Sequence, residues 1–293
     1  MTLRRAALIA ASALLIYASL PLVRLNIANA KLLRAVMKGE RPSPALDHEF
    51  AQLGALTPRA RLAQLRGDNS AGISLLQEAI ASGNHPDAQA MLGEALMRAG
   101  RFAEAANVYK SIPHSEDYFI EQVRRAAAQS RWNDAVRPAE MAVAIRPTSA
   151  SVQRTWGSVQ VSALHDYDGA IASYQRAAAI GVADGYLQIE IAHVQQMARH
   201  DDDALKTLDA FHGDHPMAHA IRGAIYLKRG RTDDALRELH RAVELDPNNV
   251  WALFDYGNAL CAAKRASEAR EYWQLALHKD PGFSPALAAR CDG

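Results

Sequence analysis

Between Val250 and Phe283 the apolar positions follow a helical period twice over. Leu253, Tyr256, Gly257 and Leu260 fall at i, i+3, i+4 and i+7, one face of a 3.6-residue helix. A polar turn from Lys264 to Ser267 follows, and then Ala269, Trp273 and Ala276 at i, i+4 and i+7. Pro281 closes the second helix, because proline has no N–H to donate and its ring collides with the preceding turn. The pattern predicts two short amphipathic helices in a hairpin. Gly257 and Ala269 are expected where the axes approach most closely, since a larger side chain there would push the helices apart.

The same arrangement recurs upstream, with units starting near 86, 116, 150, 185, 216 and 250. A first small column reads Gly93, Val123, Gly157, Ala192, Gly223, Gly257, with Val123 its weakest member. A second reads Ala105, Ala135, Ala170, Ala204, Ala235, Ala269, provided the unit from Ala150 carries one extra turn residue. A bulkier column follows: Tyr109, Ala139, Tyr174, Leu208, Leu239, Trp273. Unit ends fall at Asp117, Pro147, Val182, Pro216, Pro247 and Pro281.

Recurring together at this spacing, the Gly, Ala, aromatic and Pro columns resemble the tetratricopeptide repeat, whose period is about 34 residues. The resemblance covers residues 86–283 as six repeats, with Gln122 and Arg222 standing where the family prefers Leu. It implies an all-α fold, a right-handed α-solenoid of stacked helix-turn-helix units whose first helices line a concave groove. Carried over by position, the groove would hold Arg124, Arg154, Tyr186, Ile189, His193, Met197, Met217, Leu227, Trp251, Phe254 and Asn258. Trp251 and Phe254 exceed what the repeat core needs and suit an extended peptide or amphipathic helix; the competing reading is cover by the C-terminal cap, with Leu287 over Trp251. The family's carboxylate clamp is not expected, because Asn258 lacks its lysine partners.

Outside the repeats, residues 6–23 carry no charge. At 1.5 Å per residue such a run reaches about 27 Å, close to the hydrocarbon thickness of a bilayer. It is read as an uncleaved transmembrane anchor (residues 1–23, spanning 6–23) in preference to a cleaved export signal with Ala28-Asn29-Ala30 as its site. Residues 24–44 form a basic juxtamembrane segment ending in a Pro linker, read equally as a helix on anionic headgroups or as a stalk. Residues 45–85 read as an N-terminal cap or degenerate repeat, with Asn69 or Ser70 capping a helix that buries Ile73, Leu76 and Ala79. Residues 284–293 read as a C-terminal cap.

Composition narrows the function. A net charge of +1 over 293 residues argues against nucleic acid as a partner, which calls for a concentrated basic face. Cys261 and Cys291 are too few for a disulfide framework, and two buried free thiols are favoured over one bond between them. Histidines 200, 212, 215 and 219 lie near Asp201–Asp203, Asp209 and Asp214, but match no metal spacing and fit a polar repeat boundary, the three aspartates capping a helix from Ala204. No phosphate loop, nucleophile elbow or Cys-His pair occurs, so neither cofactor, metal site nor catalytic residue is expected. The expectation is a membrane-tethered, non-enzymatic adaptor for a protein segment in a bacterial cell-envelope assembly, with its repeats outside the inner membrane favoured slightly over the cytoplasm. A permanent structural subunit of a membrane complex is the alternative, and an enzyme with a histidine-rich site the remote one.

Overall fold

The computed structural model describes residues 21–83, 86–181 and 185–291, and among these every regular element is helical. Most of the predicted anchor, residues 6–20, lies outside the described residues; among the described ones no helix is long and apolar enough to cross a membrane. The chain divides into two compact units, residues 1–118 and 119–293.

The first unit contains α1 (described over residues 21–37), α2 (Pro44–Gln52), α3 (Leu56–Leu65), α4 (Asn69–Ser82), α5 (Pro86–Arg98) and α6 (Phe102–Lys110). The basic segment is helical over residues 24–37 and packs within the first unit. Its helix α1 docks Ala28 and Leu32 into a core with Leu46, Phe50 and Leu62, and Lys31 pairs with Glu49 at 3.0 Å. Helix α1 ends before the Pro linker, at Gly39, whose φ of +67° turns the chain while the Glu40 N–H donates to the Ala35 carbonyl oxygen; Pro44 already opens α2, with the Ser43 hydroxyl accepting from the Ala45 N–H. On α4, Ile73, Leu76 and Ala79 are buried, but the cap is Asp68, one residue before the expected position. An aspartate there accepts from the Ala71 N–H at 2.9 Å and satisfies one of the free donors of the first turn.

The second unit repeats a hairpin. After α7 (Ser115–Ala128), which crosses the division between units, come α8 (Trp132–Ile145), α9 (Ala150–Val159), α10 (Tyr167–Ile180), α11 (Gly185–Met197), α12 (Asp201–Asp209), α13 (Pro216–Lys228), α14 (Thr232–Leu245), α15 (Val250–Ala262), α16 (Ala266–Lys279) and the short α17 (Ser284–Ala288). First helices thus begin at the predicted positions, except that α7 begins at Ser115. Asp117 ends nothing; it lies in the first turn of α7, where a carboxylate suits the helix N-terminus. Pro216 likewise starts a helix, as its fixed φ allows at the first position. The three aspartates 201–203 form the first turn of α12 rather than a cap for Ala204, and Lys228 and Arg229 reach back to Asp201 and Asp202.

Small residues sit at the helix crossings. All six alanines of the second column have no accessible surface. A Cβ built on Gly257 would lie 2.5 Å from Trp273 Nε1 and 3.1 Å from the Ala269 carbonyl oxygen, and one on Gly223 would lie 2.5 Å from Leu239. In the repeat of Val123 the sizes are exchanged: Val123 and Ala139 are buried in one cluster, with the bulk on the first helix and the small residue on the second. The extra residue near Ala150 is absorbed by a π-helical turn, Gln160–Leu164, which ends on His165 in the left-handed region. Gln160 fixes this turn: its amide donates to Asp166 at 3.0 Å, and its carbonyl accepts from the Ser173 hydroxyl at 2.7 Å.

Candidate peptide-binding groove

Three first helices of the second unit, α11, α13 and α15, line one groove of about 530 Å³. Ala220 and Ala224 lie one turn apart on α13, and their methyl side chains leave the trough open. The walls carry Met197 from α11, Met217 from the start of α13 and Trp251 from the start of α15, each with more than a third of its surface exposed. Asn249 holds Trp251 in place, because its side chain accepts from the Trp251 and Ala252 N–H groups at 3.1 Å and fixes the first turn of α15. Unbranched thioethers beside an indole make a deformable apolar surface that can mould to another polypeptide.

The two titratable side chains of this lining are His193 and Asp255. Loss of water around His193 pushes its imidazole below the ordinary range, so the ring is held neutral at neutral pH. Asp255 is pushed up to about 6, chiefly by burial, against which a hydrogen bond donated by Asn258 works. No lysine, arginine or histidine among the described residues pairs with it.

Of the residues predicted to line the groove, the structure gathers His193, Met197, Met217 and Trp251. Ile189 belongs instead to the core: it packs with Ala204, Leu208, Ala218 and Ile221, because α11 turns that position against the following repeat. Phe254 is half-buried against the C-terminal cluster. Both aromatics of the predicted pair touch Phe283 edge-on, Trp251 at 4.8 Å and Phe254 at 5.7 Å between centroids. Cap contact therefore occurs, through Phe283; the side chain of Leu287 lies outside the described residues. It covers Phe254 and only one edge of Trp251, which stays 58% exposed. Leu227 also packs on the C-terminal cluster. Asn258 accepts from Trp273 Nε1 at 3.2 Å and so serves the hairpin. Arg154 is engaged bidentately by Glu190 at 2.9 and 3.0 Å, linking α9 to α11. Tyr186 is exposed and meets His215 edge-on at 5.1 Å, whereas Arg124 is exposed near Glu121.

The carry-over of family positions missed Asp255. It stands one place beyond a groove position, and its signal was a lone acid in the otherwise apolar VWALFDYGNALCA of α15. The histidine-rich stretch serves local hydrogen bonds: the His219 ring lies between Asp214 at 2.8 Å and Glu238 at 2.7 Å, Arg241 closes on Asp214, and His215 accepts from the Met217 N–H. Among the described residues no group of three or more His, Cys, Asp or Glu side chains is placed to hold a metal ion. The expectation of two free thiols is overturned, since Cys261 of α15 is joined to Cys291 in a disulfide that ties the C-terminal segment to the last hairpin.

A family model of the tetratricopeptide repeat matches residues 63–130 and 226–290. No curated protein matches the chain. Among solved structures the chain is similar to PilW, described as a widely conserved type IV pilus biogenesis factor, at 16% identity over 70% of this chain and 98% of that one, with a TM-score of 0.52. It is also similar to PilF of Pseudomonas aeruginosa, at 16% identity over 59% of this chain and 79% of that one, with a TM-score of 0.50. A third is YrrB, described as carrying an unusual peptide-binding site, at 20% identity over 64% and 95% with a TM-score of 0.45. At these identities the likeness is one of fold.

Proposed function

Because the chain belongs to the tetratricopeptide-repeat family, a family of protein-interaction scaffolds, we propose that it is a membrane-tethered adaptor holding a segment of another protein in the groove of α11, α13 and α15. The observation that carries this reading is the exposed Met197, Met217 and Trp251 surface around an alanine-floored trough. Apolar side chains in a concavity between rigid helices are where a partner's anchoring residues gain most from leaving water. A photoreactive residue at Met217 tests it directly. It is expected to give one discrete protein adduct, absent when the probe is moved to Arg270 on α16, and reduced by Trp251→Ala while far-UV circular dichroism stays unchanged. Equal adducts from both positions would remove the groove from the reading.

The tether is the uncharged run of residues 6–23, and we place the repeats on the oxidising side of a bacterial inner membrane, within an envelope assembly complex. Supporting that side is the Cys261–Cys291 disulfide, since such bonds persist in oxidising compartments and are rare in the cytoplasm. A C-terminal reporter enzyme that folds only outside the cytoplasm is expected to be active, and the same fusion should lose its membrane association when residues 6–23 are removed. A silent reporter in an otherwise stable fusion would reverse the orientation.

A further inference from the structure

We propose that the segment held in this groove presents a lysine or arginine to Asp255, flanked by apolar side chains lying on Met197, Met217 and Trp251. The inference rests on the groove being the docking site and adds what must dock there.

The argument is one of charge complementarity in a partly dry place. Asp255 projects from α15 into a lining that is otherwise apolar or neutral: Ala220, Ile221 and Ala224 on α13, Met197 and the neutral-biased His193 on α11, and the Trp251 ring on its own helix. Its hydrogen-bond partner is the amide of Asn258, which is itself committed to Trp273. Other acids of this unit that reach a neighbouring helix have a basic partner, as Glu190 has Arg154 and Asp201 has Lys228. Asp255 has none among the described residues, and burial already raises its carboxyl to about 6. A purely apolar occupant would strip the remaining water from an unpaired carboxylate, a cost that grows steeply as the charge loses solvent. An acidic occupant would add like-charge repulsion. A cation reverses both effects, because it meets the carboxylate in the same low-dielectric setting that made it unfavourable alone. The apolar walls then receive the aliphatic stem of that residue and its neighbours.

The test uses the full chain in detergent micelles, with isotope-labelled methionine methyls, and short helical peptides of alanine and leucine that differ at one central residue: lysine, glutamine or glutamate. Signals from micelles without protein are subtracted. The lysine peptide is expected to bind at least about tenfold more tightly than the glutamine peptide, as for a desolvated charge pair, and the glutamate peptide most weakly. Asp255→Asn should bring lysine and glutamine peptides to the same affinity. Trp251→Ala should weaken all of them without changing their order. If lysine and glutamine peptides bind equally while the Met197 and Met217 methyl signals move, the groove stands and the cation assignment falls. If no peptide moves those signals at millimolar concentration, the groove reading falls with it.

Discussion

Replacing Asp255 by asparagine is expected to stabilise the fold by about 3 kcal/mol at neutral pH and to leave it nearly unchanged below about pH 4. Burial raises this carboxyl from 3.8 to about 6 in the folded chain, so the native state holds on to a proton that the unfolded chain releases. Stability from this group is therefore greatest below the unfolded value, declines as pH rises from about 4 to about 6, and stays at its low level above that. At about 1.4 kcal/mol per pKa unit the ionised form costs the fold the stated amount. Asparagine fills the same volume, still accepts from Asn258, and never ionises. Other carboxylates move the opposite way, Asp214 held low by Arg241 and Asp234 by Arg231, and they are common to both proteins. The difference between variant and parent isolates residue 255. Urea unfolding followed by far-UV circular dichroism at the two pH values measures it. A gain of the same size at both would show that Asp255 is ordinarily ionised and that its cost has another origin. A buried acid that weakens the free protein has the character of a binding residue, since stability is commonly given up at functional surfaces.

The repeat itself was legible because it rests on a steric requirement that leaves little choice of residue. Only small side chains fit at the crossings, so the alanine column could be read from Ala105 to Ala269 and is fully buried throughout. Where the requirement involves two positions jointly, column-by-column reading falls short. Val123 read as a blemish, whereas together with Ala139 it is the same contact with the volumes exchanged. The extra residue near Ala150 was visible as a misfit, but its solution, a π-helical turn held by Gln160, is a backbone event that spacing alone does not specify. Groove residues were the least legible. Transfer by family position assumes one register for every repeat, yet α11 buries Ile189 against the next hairpin, and α15 lends Phe254 and Asn258 to contacts with Phe283 and Trp273. The Cys261–Cys291 bond and the docking of α1 depend on how a segment folds back onto neighbouring helices, which the apolar period within each helix does not specify.

The exchanged volumes at Val123 and Ala139 make the second large prediction. Trp273→Ala is expected to destabilise the last hairpin by about 3–5 kcal/mol, the usual cost of emptying a buried tryptophan site. The ring is 5% exposed, and its Nε1 donates to the Phe254 carbonyl oxygen at 3.3 Å and to Asn258 Oδ1 at 3.2 Å, so both acceptors lose their donor along with the packing. Gly257→Val alone should also destabilise, by about 1–3 kcal/mol, because its Cβ would press on the indole. Combined, the two changes place valine on the first helix opposite alanine on the second, the arrangement the chain already uses one hairpin after α6. The double variant is therefore expected to be more stable than the sum of the single losses by at least about 1 kcal/mol, the signature of residues that share one space. Thermal and urea unfolding of all four proteins closes the cycle. Strict additivity would mean that Gly257 is small for the sake of its own helix and not for its neighbour, and the steric basis of the whole column would have to be sought elsewhere.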